Sequence, residues 1–213
     1  MRRFKAKGIK WFAKATTVAE ALQAEHAGAD AVVAQGMEAG GHKGAFNAAD
    51  ANKNMIGLFS LLPAVSNAVK VPVVPSGGIG DPRGVAAALI LGASAVEIGT
   101  GFLRSPEAKI PTAWADAISG ADPEDTLVSR VFSGRLGRSI RTPYAMAATA
   151  KESPESAPYP IQRNLTKSMR DHAAASNDLD GMQAWAGQSA KLASPTSAEQ
   201  IVVNLWNGAQ KLL

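Results

Sequence analysis

Along the first hundred residues, short apolar runs alternate with longer stretches of helical spacing. Ile9 to Ala15 reads as a strand. Thr17-Val18-Ala19-Glu20 then has the form of a capping box, with the Thr17 oxygen on a backbone N–H and Glu20 reaching back. The helix it opens, Val18 to Ala27, should stop at Gly28, which tolerates the left-handed conformation. Ala31 to Gln35 is a second strand. Leu58, Leu61, Leu62, Val65 and Val69 fall at helical spacing within Met55 to Val69, and Pro63 inside that stretch predicts a kink or a start near Ser60. Val71 to Pro75 is a third, buried strand. Asp81-Pro82 supplies an N-cap and a first helical residue for a helix to about Leu91, ended by Gly92. Ala95 to Ile98 is a fourth strand. Four βα units in tandem predict an α/β fold with parallel strands and right-handed helical crossovers.

From Pro106 onward the pattern loosens. Residues 134–164 mix Gly, Pro, Ser and Arg with little periodicity. The expectation is a single domain over 1–213 in which 106–194 form a lid-like, partly helical excursion over an active face, without a second core. Thr196-Ser197-Ala198-Glu199 is another capping box and opens a terminal helix within 195–213, with Ile201, Val202, Leu205, Trp206 and Leu212 on its apolar side.

Composition narrows the function classes. A chain of 213 residues that is 46% hydrophobic can bury one real core or form part of a larger one. Cysteine is absent, which excludes disulfides, thiolate metal sites and cysteine nucleophiles, and fits a reducing, cytoplasmic setting. No apolar run approaches the roughly 20 residues of a membrane helix, so no membrane partner is expected. The formal net charge of +4 is mild and includes Arg2, Arg3, Lys5, Lys7 and Lys10. That basic start has the look of a targeting arm, but the strand expected from Ile9 leaves no separate presequence. No aromatic-rich basic stripe forms, so no nucleic-acid partner is expected either.

The unusual chemistry sits in glycine-rich loops after the strands, where parallel α/β folds gather their sites. Ser76-Gly77-Gly78-Ile79 follows the third strand and Gly99-Thr100-Gly101 the fourth. Bare glycines let backbone N–H groups approach an anion, and (β/α)8 barrels often hold a phosphate at the loops after strands 7 and 8. Neither loop matches G-x-x-x-x-G-K-[ST] or G-x-G-x-x-G, which argues against nucleoside triphosphate and Rossmann sites. After the second strand comes QGMEAGGHKGAF, four glycines around His42. A loop imidazole between glycines has little packing to do and titrates near neutral pH, so His42 is the candidate acid–base residue. His26 lies at a helix C-terminus and His172 in a polar helical stretch. Without a His-x-x-x-His pair or a carboxylate cluster, no metal site is expected. Glu38 and Lys43 read as exposed loop charges. Glu97 either faces a ligand or makes a structural hydrogen bond. Arg135, Arg138 and Arg141 form either an anion-attracting lid edge or a solvated loop. Trp185, near Gln188, either covers a pocket or, as the default, sits in the core.

Three segments carry a resemblance: GADAVVAQGMEAGGHKGAF, VPVVPSGGIGDPRGVAAALILGASAVEIGTGFL and MQAWAGQSA. The chain resembles the nitronate monooxygenase family, formerly called 2-nitropropane dioxygenases. The resemblance implies FMN at the top of a (β/α)8 TIM-type barrel, with His42 as the active-site histidine. It implies flavin contacts from Gln35 and Gly40. It implies a phosphate held by Gly78, with Gly77 beside it, and by Glu97, Ile98, Gly99 and Thr100. Relatives usually have a neutral residue at the position of Glu97, so its backbone is expected to do the binding. Family members begin with several further strands, so the four βα units here would be strands five to eight, the C-terminal half, plus the helical excursion. A self-paired copy or a complementing N-terminal half is then the expected partner. The implied reaction is FMN-dependent oxidation of alkyl nitronates, such as propionate 3-nitronate, by O2. The alternatives are a flavin-dependent enoyl-ACP reductase, whose loops look alike, and a non-catalytic half-barrel that binds a phosphate ligand or a partner chain.

Overall fold

The computed structural model describes residues 2–213. The chain forms two compact units. One comprises the chain up to Glu38, Gly44–Ile98 and Asn204–Leu213; the other comprises Ala39–Lys43 and Gly99–Val203.

The first unit runs through α1 (Arg2–Lys5), β1 (Phe12–Ala15), α2 (Val18–His26) and β2 (Ala31–Gln35). After a two-residue strand of the other unit, β3 (Gly41–His42), it continues with α3 (Leu58–Ala68), β4 (Val73–Ser76) and α4 (Pro82–Ile90). The strands are parallel in the order β1-β2-β4, with Lys14 opposite Val33, Val33 opposite Val74, and Gln35 opposite Ser76. Alternation of side chains across the pleat sends Ala13, Ala15, Val32, Ala34 and Val73 into an apolar cluster with Leu61, Leu62, Val65 and Val85 of the helices. The opposite face carries Phe12, Lys14, Val33, Gln35, Val74 and Ser76 by the same alternation.

Caps explain the helix starts. The Thr17 oxygen accepts from the Glu20 N–H, as the box predicts. The Glu20 carboxylate instead reaches past Thr17 to the Thr16 N–H at 2.7 Å and to the Phe46 N–H at 2.7 Å, so the box is half formed. Asp81 accepts from the Gly84 N–H, with Pro82 at the first helical position. α3 starts at Leu58, two residues before Ser60. Gly57 at its N-cap has no side chain, and the Glu38 carboxylate takes the Leu58 N–H at 2.8 Å in its place. Pro63 is accommodated inside that helix. The expected first strand is shorter than Ile9 to Ala15, and the expected fourth strand contracts to a single parallel bridge, Ser76 with Glu97.

The second unit corrects the expectation of an excursion without a core. It holds α5 (Thr112–Gly120), β5 (Thr126–Ser129), β6 (Gly137–Ile140), α6 (Pro143–Ala148), α7 (Ile161–Leu165) and α8 (Lys167–Ala175). Its sheet is antiparallel, in the order β3-β6-β5. Ile118, Ile140, Ala184, Ala186 and Ala190 form one buried cluster. Val131, Phe132 and Ala145, with Tyr144, Met169 and Trp185 against them, form another. The sequence masks this because its strands are four residues long and its contacts join segments far apart in the chain.

The terminal helix α9 (Ala198–Gln210) is capped by the Ser197 hydroxyl on the Gln200 N–H, one residue later than the expected box. Of its expected apolar side, Ile201 is buried while Val202, Trp206 and Leu212 are about half exposed. Among the described residues no helix is long and apolar enough to cross a membrane.

Candidate functional site

His42 is not a loop residue with little to pack against. It lies in β3, opposite Gly137 of β6, and is half-buried. Its Nε2 stands 2.7 Å from the Ser133 hydroxyl. The Trp185 ring meets it edge-on at 5.1 Å between centroids, and the Tyr159 ring does the same at 6.2 Å. Trp185 in turn packs against Phe132, which is buried. The backbone closes in at Gly134, with φ of 82°: a Cβ there would lie 2.3 Å from the Ala157 carbonyl oxygen and 2.5 Å from the Tyr159 nitrogen. Only a glycine lets the 157–159 segment close over the Ser133 turn.

Burial lowers the His42 pKa below its ordinary value, and the Arg135 and Arg163 guanidinium groups lower it further. The imidazole is therefore held neutral near neutral pH, the form that accepts a proton. Ser133 and Tyr159 were not legible as neighbours of His42, and Trp185 was legible only as a core residue or the cover of a pocket. Their contacts to His42 span 91, 117 and 143 positions of sequence, and no local motif marks them.

The bare loop around His42 is explained by packing. A Cβ on Gly40 would lie 2.6 Å from both the Ala186 carbonyl carbon and the Gly187 nitrogen. Gln35 is buried, and its side-chain oxygen accepts from the Gly44 N–H at 2.7 Å. Two charges expected to be exposed are not. Glu38 is half-buried at the start of α3, and Lys43 is buried with its N–H on the Leu136 carbonyl. The three arginines make no common lid edge. Arg138 is buried and donates to the Thr126 hydroxyl, Arg135 donates to the Lys43 carbonyl, and Arg141 is exposed.

The candidate phosphate residues are divided between the units. In the first, Gly77 and Gly78 have φ of 106° and 72° directly after β4. The Gly77 N–H faces the Glu97 carbonyl across the parallel bridge, while the N–H groups of Ile79 and Gly80 make no hydrogen bond among the described residues and are the amides this turn offers an anion. A cavity of about 160 Å³ lies beside it, lined by Glu38, Phe59, Leu62, Gly78 and Leu91, and its apolar walls suit a hydrocarbon group better than a phosphate. Glu97 departs from expectation, because its N–H is committed to the Pro75 carbonyl at 2.9 Å and cannot bind a ligand. Its carboxylate is engaged too, taking the Lys14 ammonium at 2.8 Å and the Ser76 hydroxyl at 2.9 Å. Ile98 follows with no such bond. In the second unit, Gly99 has open space where a Cβ would be, and the Thr100 hydroxyl accepts from the Gly187 N–H at 2.9 Å. Among the described residues no group of three or more His, Asp or Glu side chains could hold a metal ion.

Comparison with known proteins follows the same lines. A family model described as "Nitronate monooxygenase" matches residues 1–208. A probable nitronate monooxygenase of Staphylococcus aureus is 40% identical over 213 residues, which is 100% of this chain and 60% of the relative. A nitroalkane oxidase from Streptomyces ansochromogenes is 37% identical with a TM-score of 0.89, over 99% of this chain and 60% of that one. FabK from Thermotoga maritima is 32% identical with a TM-score of 0.82, over 100% of this chain and 64% of that one. The chain thus spans about 60% of the length of the curated relatives it matches, and its tandem parallel βα units are part of a (β/α) barrel. By sequence and by fold, it belongs to the nitronate monooxygenase family.

Proposed function

We propose that this chain serves a flavoprotein that oxidises alkyl nitronates, such as propionate 3-nitronate, with O2, using FMN. The observation that carries this reading is the neutral His42 imidazole, fixed by Ser133 and walled by Trp185 and Tyr159. FMN, when bound, supplies the electron and oxygen chemistry. The chain's own residues have simpler tasks. A neutral imidazole hydrogen-bonds a nitronate oxygen, or takes the α-proton when the neutral nitroalkane binds instead. The Ser133 hydroxyl fixes the ring plane, and the two aromatic edges keep water from the ring faces. Gln35 is proposed as a neighbour of the flavin ring. The turn after β4, with Gly77, Gly78 and the amides of Ile79 and Gly80, is proposed as the holder of its phosphate.

The test is to add FMN to the purified chain, record flavin binding, and follow oxygen uptake with propionate 3-nitronate. His42→Ala should keep the flavin and lose turnover by about 10²–10⁴-fold. A flavin-loaded His42→Ala protein that turns over at the parent rate removes His42 from the mechanism. A flavin-dependent enoyl-ACP reductase is the second reading, favoured by the likeness to FabK. Consumption of NADH with an enoyl thioester, without oxygen uptake on the nitronate, would select it. A chain that shows no flavin absorbance near roughly 450 nm after FMN is added would instead be a non-catalytic binding module.

A further inference from the structure

The face of the parallel sheet that carries Lys14, Gln35 and Ser76 holds a charge pair that neither the fold nor the proposed chemistry explains. Gln35, Ser76 and Glu97 stand in one row, with Gln35 opposite Ser76 and Ser76 bridged to Glu97. Lys14 belongs one pleat lower, opposite Val33. To meet Glu97, its side chain must lean across β2 and β4, strands about 4.8 Å apart. It does so, and the ammonium reaches the Glu97 carboxylate at 2.8 Å. The lean is built in. A Cβ on Gly44 would lie 2.6 Å from Lys14 Cγ and 2.9 Å from Cδ, so the glycine at 44 leaves room for the lysine stem.

The same carboxylate oxygen accepts from the Ser76 hydroxyl at 2.9 Å, and Ser76 is the residue immediately before the Gly77–Gly78 turn. A second carboxylate, Glu38, lies against Gly78, where its charge is spent on the first N–H of α3. A turn that offers an anion the amides of Ile79 and Gly80 is therefore flanked by two carboxylates. An uncompensated negative charge beside a bound phosphate opposes binding.

We infer that Lys14 is a positioning residue for the phosphate of the flavin, acting through Glu97. It holds that carboxylate as a neutral pair, so the turn after β4 can accept a phosphate. The inference rests on the proposed phosphate site and deepens it. Both side chains of the pair are about two-fifths exposed, at 39% and 43%, so water and salt screen the effect and its size is moderate.

The experiment compares FMN with riboflavin, which has the same ring and no phosphate, by fluorescence titration of the full chain at low salt. The parent should prefer FMN. Lys14→Met should weaken FMN binding by about tenfold and leave riboflavin binding unchanged. Glu97→Gln placed in the Lys14→Met background should restore FMN binding, and Lys14→Arg should retain it. Raising the salt should shrink the Lys14→Met effect. Circular dichroism of each variant checks that it is folded. Because riboflavin and FMN share the ring, a merely structural role for Lys14 would weaken both alike and overturn the inference. So would a double variant as weak as Lys14→Met, since Lys14 would then act on the phosphate without Glu97. A parent protein with no preference for FMN overturns the phosphate reading and the inference with it. A clear preference left intact by Lys14→Met overturns the inference alone.

Discussion

The two units hold themselves together differently. In the first, small apolar residues of parallel strands pack against helices whose starts are closed by Thr17, Glu38 and Asp81. Each of its parts follows a local rule, repeated. In the second, short antiparallel strands are secured by a cluster of rings, Phe132 with Tyr144 and Trp185, and by backbone approaches that only a missing Cβ allows. The imidazole with the shifted pKa belongs to the second. The difference teaches that regular, repeating packing builds a scaffold, while the His42 imidazole is fixed by long-range contacts with little slack.

The largest way to break that comparison is Phe132→Ala. Phe132 is 1% exposed and joins both rings, so its loss should cost about 3–5 kcal/mol in urea unfolding. Hydrogen exchange should show the lost protection at Ile140 and Ala184 before it appears at Val32 and Ala34. Equal loss at all four would mean that the ring cluster is not what distinguishes the second unit. Glu38→Ala is the matching probe of the first unit. It removes the carboxylate at the N-terminus of α3 and should cost about 1–2 kcal/mol, with Glu38→Gln keeping part of the stability. A neutral result would show that the Leu58 N–H is as well served by water.

The same contrast governs what could be read from the sequence. Thr17, Asp81-Pro82 and the glycines at 28 and 92 gave true helix ends, because capping is a matter of a few adjacent residues. Boundaries slipped where a distant residue decided them. α3 begins early because Glu38, twenty positions back, supplies its cap. Glu97 looked like a backbone ligand until the sheet claimed its N–H. At the candidate site, the glycine-rich setting of His42 was legible, but ligand access alone does not account for the glycines. Gly40 is small because Ala186 and Gly187 lie against it. Ser133 and Trp185 were invisible as partners of His42 because nothing local ties positions 42, 133 and 185 together. The antiparallel sheet was missed for the same reason: strands of four residues leave too short an alternation to detect.

A smaller effect sharpens the second half of the comparison. Ser133→Ala removes the hydroxyl at 2.7 Å from His42 Nε2 while leaving the ring walled by Trp185 and Tyr159. A single hydrogen bond of this kind contributes about 0.5–1.5 kcal/mol net, so turnover of the flavin-loaded protein should fall severalfold, far less than for His42→Ala. Flavin affinity should not change. Loss as deep as that of His42→Ala would make Ser133 a reacting group itself and not the residue that aims the imidazole.

The smallest expected effect is the dependence of stability on pH. His42 has its pKa lowered by burial first and then by Arg135 and Arg163, so the folded chain binds a proton there less readily than the unfolded chain does. Above the ordinary value of 6.5 both forms are neutral and the shift has no consequence. As the pH falls below it, the unfolded form takes up its proton first and stability declines. The decline ends once the lowered folded pKa is passed. Urea midpoints should therefore fall between pH 7.5 and the low end of that window, and His42→Gln should flatten this part of the profile. Arg135→Gln should raise the folded pKa and narrow the window from below, because one of the two repelling charges is gone. A profile unchanged by His42→Gln would mean that the imidazole is as well solvated as in the unfolded chain. The contrast between a scaffold unit and a unit that tunes its histidine would then lose its electrostatic half.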